Sequence, residues 1–242
     1  MKTLLFTSIC IIGFSCFASL RAQPGFGGWL ATFNTVKTGK KTSIHSDFQL
    51  RSTDDIRQVQ TLLLRAGLNY HVHANLTLTA GYAFIPNRRV IGTTSGYLAE
   101  HRIWEQLIIG HKLNSMAVSH RFRLEQRFIP TATVISNQLE KDGSVYANRL
   151  RYFIRNILPL KNGGKTSSYF FAALQNEVFL NIGNTSPVNG AFFDQNRFYI
   201  AVGRRLSTKA DLEIGYMNQY VDGRGTQFTN NHILQLAGYF RL

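Results

Sequence analysis

Arginines recur at every second position through the middle of this chain. Arg121, Arg123 and Arg127 alternate with Phe122, Leu124 and Phe128, and Glu125 shares their parity; Arg149, Arg151 and Arg155 alternate with Leu150, Tyr152 and Ile154. Arg65, Arg102, Arg197 and Arg205 fall on the same kind of face, together with Glu100, Glu177, Asp211 and Glu213. A guanidinium keeps its charge, and its planar fork of N–H donors fits carboxylates and phosphates two bonds at a time. Set around an enclosed axis, such residues would select or bind small anions by charge. Paired with the carboxylates, they would instead lock the surrounding wall together, and inward Trp104, Phe153, Tyr169, Phe171, Tyr199 and Tyr239 would fill much of the interior.

Other constellations are weaker. Ser43, His45 and Asp47 share one face of one strand, and Ser, His and an acid are the ingredients of nucleophilic catalysis. Residues two apart on a strand sit about 6.6 Å from each other along its axis, too far for a nucleophile and its base. A lipid-modifying hydrolase is therefore the least favoured reading, and no enzyme is expected. His71 and His73 lack the further ligands that a metal site requires, so no metal or cofactor is expected. Gly163-Gly164-Lys165-Thr166 has Pro159 where a phosphate loop needs glycine, and reads as a hairpin turn. Arg88, Arg89, Lys141 and Arg224 fall in segments read as external loops, where they could meet lipopolysaccharide phosphates.

The element that positions these residues is a long strand. From about residue 42 onward the dominant period is two, which sends successive side chains to opposite faces. Leu62 to Asn69, Leu76 to Phe84, Tyr146 to Arg155, Gln195 to Arg205 and Leu234 to Leu242 all read this way, with one face aliphatic and aromatic and the other polar. Runs such as 116–128 exceed the usual strand of about 5–6 residues and suit a tilted membrane crossing of about 9–11. Short connections (71–75, 112–115, 158–165, 207–209) alternate with longer ones (86–97, 129–144, 181–193, 222–231), as expected for short periplasmic turns and longer external loops.

The beginning of the chain reads as a leader. Lys2, an apolar run from Leu4 to Ala18 and a Leu20-Arg21-Ala22 end match a secretory signal peptide, residues 1–22, cleaved before Gln23. Cys10 and Cys16 both leave with it, so disulfides are excluded from residues 23–242. The formal net charge of +14 falls by two, to +12, as Lys2 and Arg21 are lost. With no recognition motif, the basic balance does not point to nucleic acid.

Several blocks together resemble a known envelope family: Glu100-His101-Arg102-Ile103-Trp104-Glu105-Gln106, Asn148-Arg149-Leu150-Arg151-Tyr152, Asn176-Glu177-Val178-Phe179, and above all Phe193-Asp194-Gln195-Asn196-Arg197-Phe198-Tyr199 with Glu213-Ile214-Gly215-Tyr216. Over roughly residues 28–242 the chain resembles domain of unknown function 2490, grouped with outer-membrane barrels. The resemblance implies a membrane barrel and brings no activity, ligand or site residue with it.

The expected protein is a monomeric, all-β, transmembrane antiparallel up-and-down barrel of ten to twelve strands, residues 23–242, in the outer membrane of a Gram-negative bacterium. Its partners would be outer-membrane lipids, lipopolysaccharide and small anionic solutes. Residues 29–36 are an eleventh strand candidate that conflicts with an even strand count: either the segment is a plug or partial strand, or a twelfth strand accompanies it. Two roles stand: a porin-like passive channel for small anions, or a closed barrel serving structure or envelope interaction.

Overall fold

The computed structural model describes residues 24–160 and 168–242. The expected leader, residues 1–22, and the expected turn at 163–166 lie outside the described residues. Eleven strands and no helix are found among those described: β1 (Pro24–Lys37), β2 (Thr42–Thr53), β3 (Gln58–His73), β4 (Leu76–Ile91), β5 (Thr94–Leu113), β6 (Met116–Ile135), β7 (Gln138–Leu160), β8 (Tyr169–Ile182), β9 (Phe193–Arg205), β10 (Ala210–Asp222) and β11 (Phe228–Arg241). Each pairs with its neighbours in chain order, and β1 meets β11 to close a barrel.

That closure decides between the two alternatives for residues 29–36 and corrects the expectation of a wholly antiparallel wall. Residues 29–36 are neither plug nor partial strand; they form the body of β1, which pairs on both sides. All neighbours are antiparallel except β1 and β11, which run in parallel with Leu30 opposite Leu236 and Ala31 opposite Ala237. Lys37 N–H to the Leu242 carbonyl and Leu242 N–H to the Thr35 carbonyl, each 2.8 Å, finish the seam. An odd number of strands with hairpin connections leaves the first and last running the same way, so only a parallel seam closes the ring. β1 therefore starts at the end carrying the 183–192 and 223–227 connections, opposite Leu242.

The long connections are also fewer than expected. Segments 86–97 and 129–144, read as loops for their Pro and Gly, are mostly paired extensions of β4–β5 and β6–β7, with Pro86 opposite Ala99 and Pro130 opposite Ser144. The second hairpin turns at Ser136 (φ 49°) and Asn137 (φ 61°). Positive φ at both central residues gives the twist that matches the flanking strands.

Period-two alternation divides the wall as read. Outward Leu30, Leu64, Leu68, Ile103, Phe122, Ile200, Val202, Ile214 and Leu236 are exposed. Polar groups on this face pair with one another: Gln126 Nε2 donates to Glu105 Oε2 (3.0 Å), Asn176 to Asn196 (3.2 Å) and Asn218 to Asn230 (2.7 Å). Inside, large rings lie over glycines. A Cβ on Gly67 or Gly81 would meet Trp104 at 2.7 and 2.5 Å, and one on Gly203 would meet the Phe171 ring at 2.2 Å. Strand positions without side chains thus let these rings lie flat against the wall.

Candidate functional site

Strand parity sends β5, β6 and β7 arginines to one interior wall, where they share a few carboxylates. Glu125, 1 % exposed, accepts from Arg149 Nη2 (2.7 Å), Arg151 Nη1 (2.5 Å) and Arg102 Nη1 (3.4 Å), with Arg123 Nη1 at 4.0 Å. Arg151 also reaches Glu177 (2.7 Å), which Arg121 shares (2.7 Å), and Arg102 and Arg127 both meet Glu100 (2.7 Å each). Arg149 bridges on to Asp194 (2.8 Å). The β5–β9 wall is thereby one connected lattice of ion pairs.

Other named residues sit apart from it. Arg155 crosses to Glu213 on β10 (2.5 Å), an acceptor that also takes the Tyr199 and Tyr239 hydroxyls (3.1 Å each). Arg65 meets Asp47 (3.2 Å), while Arg205 and Arg241 flank Asp211 at the C-terminal rim (2.8 Å each). Of the fifteen arginine and carboxylate positions expected inside, ten are buried, and Arg121, Arg127, Arg155, Arg197 and Arg205 are half-buried. Reading the sequence left out Arg51 and Asp194. Arg51 continues the β2 parity of Ser43, His45 and Asp47, which would have revealed it; Asp194 is turned inward at a register shift between β8 and β9, which parity alone does not show.

Charge inside the barrel does not balance. Between the rims stand Arg51, Arg65, Arg102, Arg121, Arg123, Arg127, Arg149, Arg151, Arg155 and Arg197, against Asp47, Glu100, Glu125, Glu177, Asp194 and Glu213. Aromatic faces hold part of the surplus through their negative quadrupole. Arg51 and Arg197 both lie over Trp29 (4.0 and 4.9 Å to the ring centroid), Arg123 and Arg65 over Trp104 (4.6 and 5.7 Å), and Arg151, Arg197 and Arg149 over Phe179 (4.4, 4.7 and 5.0 Å). Arg65 Nε, Arg121 Nε, Arg123 Nη1 and Arg197 Nε are buried donors without a partner among the described residues.

The lumen holds two main cavities. One, about 310 Å³, lies toward the loop end and is lined by nine arginines and by Glu100 and Asp194. Arg88 and Arg89 are among its lining residues, at its mouth and not on an outer loop as expected. The other, about 420 Å³, lies toward the C-terminal end and is lined by seven arginines and by Glu177. Arg51, Arg65, Arg151 and Arg197 line both. Those four side chains form the boundary at which the two spaces meet.

The remaining candidates resolve differently. Ser43 hydrogen-bonds not to His45 but to His71 Nε2 on β3 (2.9 Å), while His71 Nδ1 meets Thr77 Oγ1 (3.1 Å) and His45 meets Asp47 (3.3 Å). Ser43 is 2 % exposed and also accepts from Asn69 Nδ2 (3.0 Å). A register shift separates His71 from His73, and no group of three metal-ligating side chains occurs among the described residues. Arg224 donates to the Ser186 carbonyl (2.7 Å), tying two loop-end connections together.

Strands closed on themselves, with an aliphatic exterior and an interior carrying more guanidinium than carboxylate, define a cation-lined β-barrel. The chain belongs to the family described as "Protein of unknown function (DUF2490)", whose model matches residues 26–230. It is 28 % identical to an uncharacterized protein of Methylorubrum extorquens over 243 residues, covering 98 % of this chain and 97 % of that relative.

Proposed function

We propose that this protein spans an outer membrane as a monomeric barrel and passes small anions through a narrow arginine-lined lumen. The observation that carries the reading is the charge around the two cavities, nine arginines against two carboxylates on one side and seven against one on the other. Cations lining a low-dielectric passage lower the energy of an anion and raise that of a cation. Arg88 and Arg89 at the loop-side mouth extend the same potential outward. Exposed aliphatic side chains around the whole barrel, far more than a soluble monomer leaves in water, support burial of the outer wall in lipid. A closed ring of strands also pairs the backbone internally, as hydrocarbon demands. Lipopolysaccharide phosphates are the natural partners of exposed Lys141 at the loop end.

One observation favours the second reading, a closed barrel. Trp104, Tyr199, Phe171 and Phe179 are at most 2 % exposed inside the wall, and the ion-pair lattice braces it. Planar-bilayer recording under a KCl gradient separates the two. Small current steps with a reversal potential toward that of chloride are expected, and Arg51→Gln with Arg197→Gln should shift the reversal potential toward zero. Folded protein, verified by its altered gel mobility before boiling, that gives no current steps would reject passage and leave the closed barrel.

A further inference from the structure

Arg51 and Arg197 differ from most of the interior cations. Arg51 stands directly opposite Trp29 across the β1–β2 pair, while Arg197 reaches the same indole from β9, three strands away round the wall. Two like charges therefore share one indole ring, at 4.0 and 4.9 Å from its centroid. No carboxylate among the described residues forms an ion pair with either, and residues 1–23 and 161–167 contain no Asp or Glu. Arg51 spends Nε and Nη2 on Gln49 Oε1 (3.1 and 2.5 Å). Its Nη1 has no acceptor among the described residues, and neither has the buried Nε of Arg197. Both guanidiniums border both main cavities, and Arg51 and Trp29 also border a third of about 230 Å³ toward the loop end.

We propose that Arg51, Arg197 and Trp29 form a discrete, saturable binding site for one small tetrahedral oxyanion of the phosphate or sulfate class. Two guanidiniums that border the same cavities and keep unspent N–H groups, Nη1 on Arg51 and Nε on Arg197 among them, offer several donors to one anion, the chemistry in which arginine outperforms lysine. The anion would also relieve the repulsion between the two cations. Neutral Gln60, Thr61 and Gln195 line the loop-side cavity next to them and supply hydrogen bonds without opposing charge. This inference deepens the anion-passage reading by placing a stopping point within the lumen.

The two tryptophans of the chain make the site observable. In Trp104→Phe protein folded in detergent micelles, Trp29 is the sole indole, and inorganic phosphate or sulfate added at constant ionic strength against chloride should change its emission along a saturating curve. Arg51→Gln and Arg197→Gln should each weaken the half-saturation concentration by roughly tenfold or more, since each removes a charge-assisted donor. If Trp104→Phe fails to fold, isothermal titration of phosphate into otherwise unaltered protein, with and without both arginine substitutions, reads the same quantity. A response linear in anion, or a saturating one that survives loss of both arginines, overturns the site. Saturable binding without conductance keeps the site and removes passage. Conductance without saturable binding keeps passage and removes the site.

Discussion

Glu125 is the residue whose loss the interior should tolerate least. It lies 1 % exposed among Arg149, Arg151 and Arg102, at 2.7, 2.5 and 3.4 Å. Glu125→Gln preserves shape, removes the shared negative charge, and turns an amide N–H toward guanidiniums that already donate. The interior surplus over six carboxylates, four charges, becomes five. Removing one partner of a buried ion pair costs about 3–5 kcal/mol. Water in the adjoining cavities can solvate part of the freed charge, so about 3 kcal/mol is expected. Arg197→Met is the matched control. It deletes a cation that has no carboxylate partner and leaves a flexible side chain on Trp29 and Phe179. Its stability should stay within about 1 kcal/mol of the parent or rise, because an unpaired buried charge is itself a cost. Reversible urea unfolding in micelles, followed by tryptophan emission, measures both. A Glu125→Gln loss below about 1 kcal/mol, or an Arg197→Met loss as large as that of Glu125→Gln, would refute the view that carboxylates are the limiting interior resource.

Two further outcomes follow from packing and from the seam. Gly203→Ala should lower stability by about 1–3 kcal/mol and be largely restored by Phe171→Leu, since the three atoms nearest its new Cβ all belong to the Phe171 ring; Gly81→Ala should resist rescue by Trp104→Leu, because the backbone carbonyl of Ala66 is the atom nearest its added Cβ. Melting temperatures of the single and double variants decide this. With Cys10 and Cys16 replaced, an Ala31→Cys, Ala237→Cys chain should form an intramolecular disulfide on oxidation, because the two residues are direct partners across β1 and β11. Absence of the cross-link, read as unchanged gel mobility under non-reducing conditions, would contradict the parallel closure.

What could be read from the residues alone was whatever depends on period two. A strand cannot put Arg121 and Phe122 on the same face, so the arginines assigned by alternation are buried or half-buried while the side chains between them are more exposed, and Arg51 follows from the same rule once β2 is carried to its end. What could not be read depends on partners distant in sequence. Whether β1 meets β11 in parallel is decided by the odd strand count, and a single strand missed or added reverses the answer. Asp194 turns inward only because Leu180 opposite Phe193 and Phe179 opposite Gln195 leave one residue over on β9. The same limit explains the blocks that carried the family resemblance. Glu213 receives Arg155, Tyr199 and Tyr239; Gly215 gives the Tyr199 ring its seat; Asp194 receives Arg149; Arg197 lies on Trp29. Each block is one half of a contact whose other half lies on a different strand, so its meaning appears only when the barrel is closed. Most of these contacts brace the wall. Arg51 and Arg197 make no ion pair among the described residues, although Arg197 stands opposite Glu177 across β8 and β9, and a guanidinium kept in the lumen without a bonded carboxylate is a costly residue unless something anionic visits it.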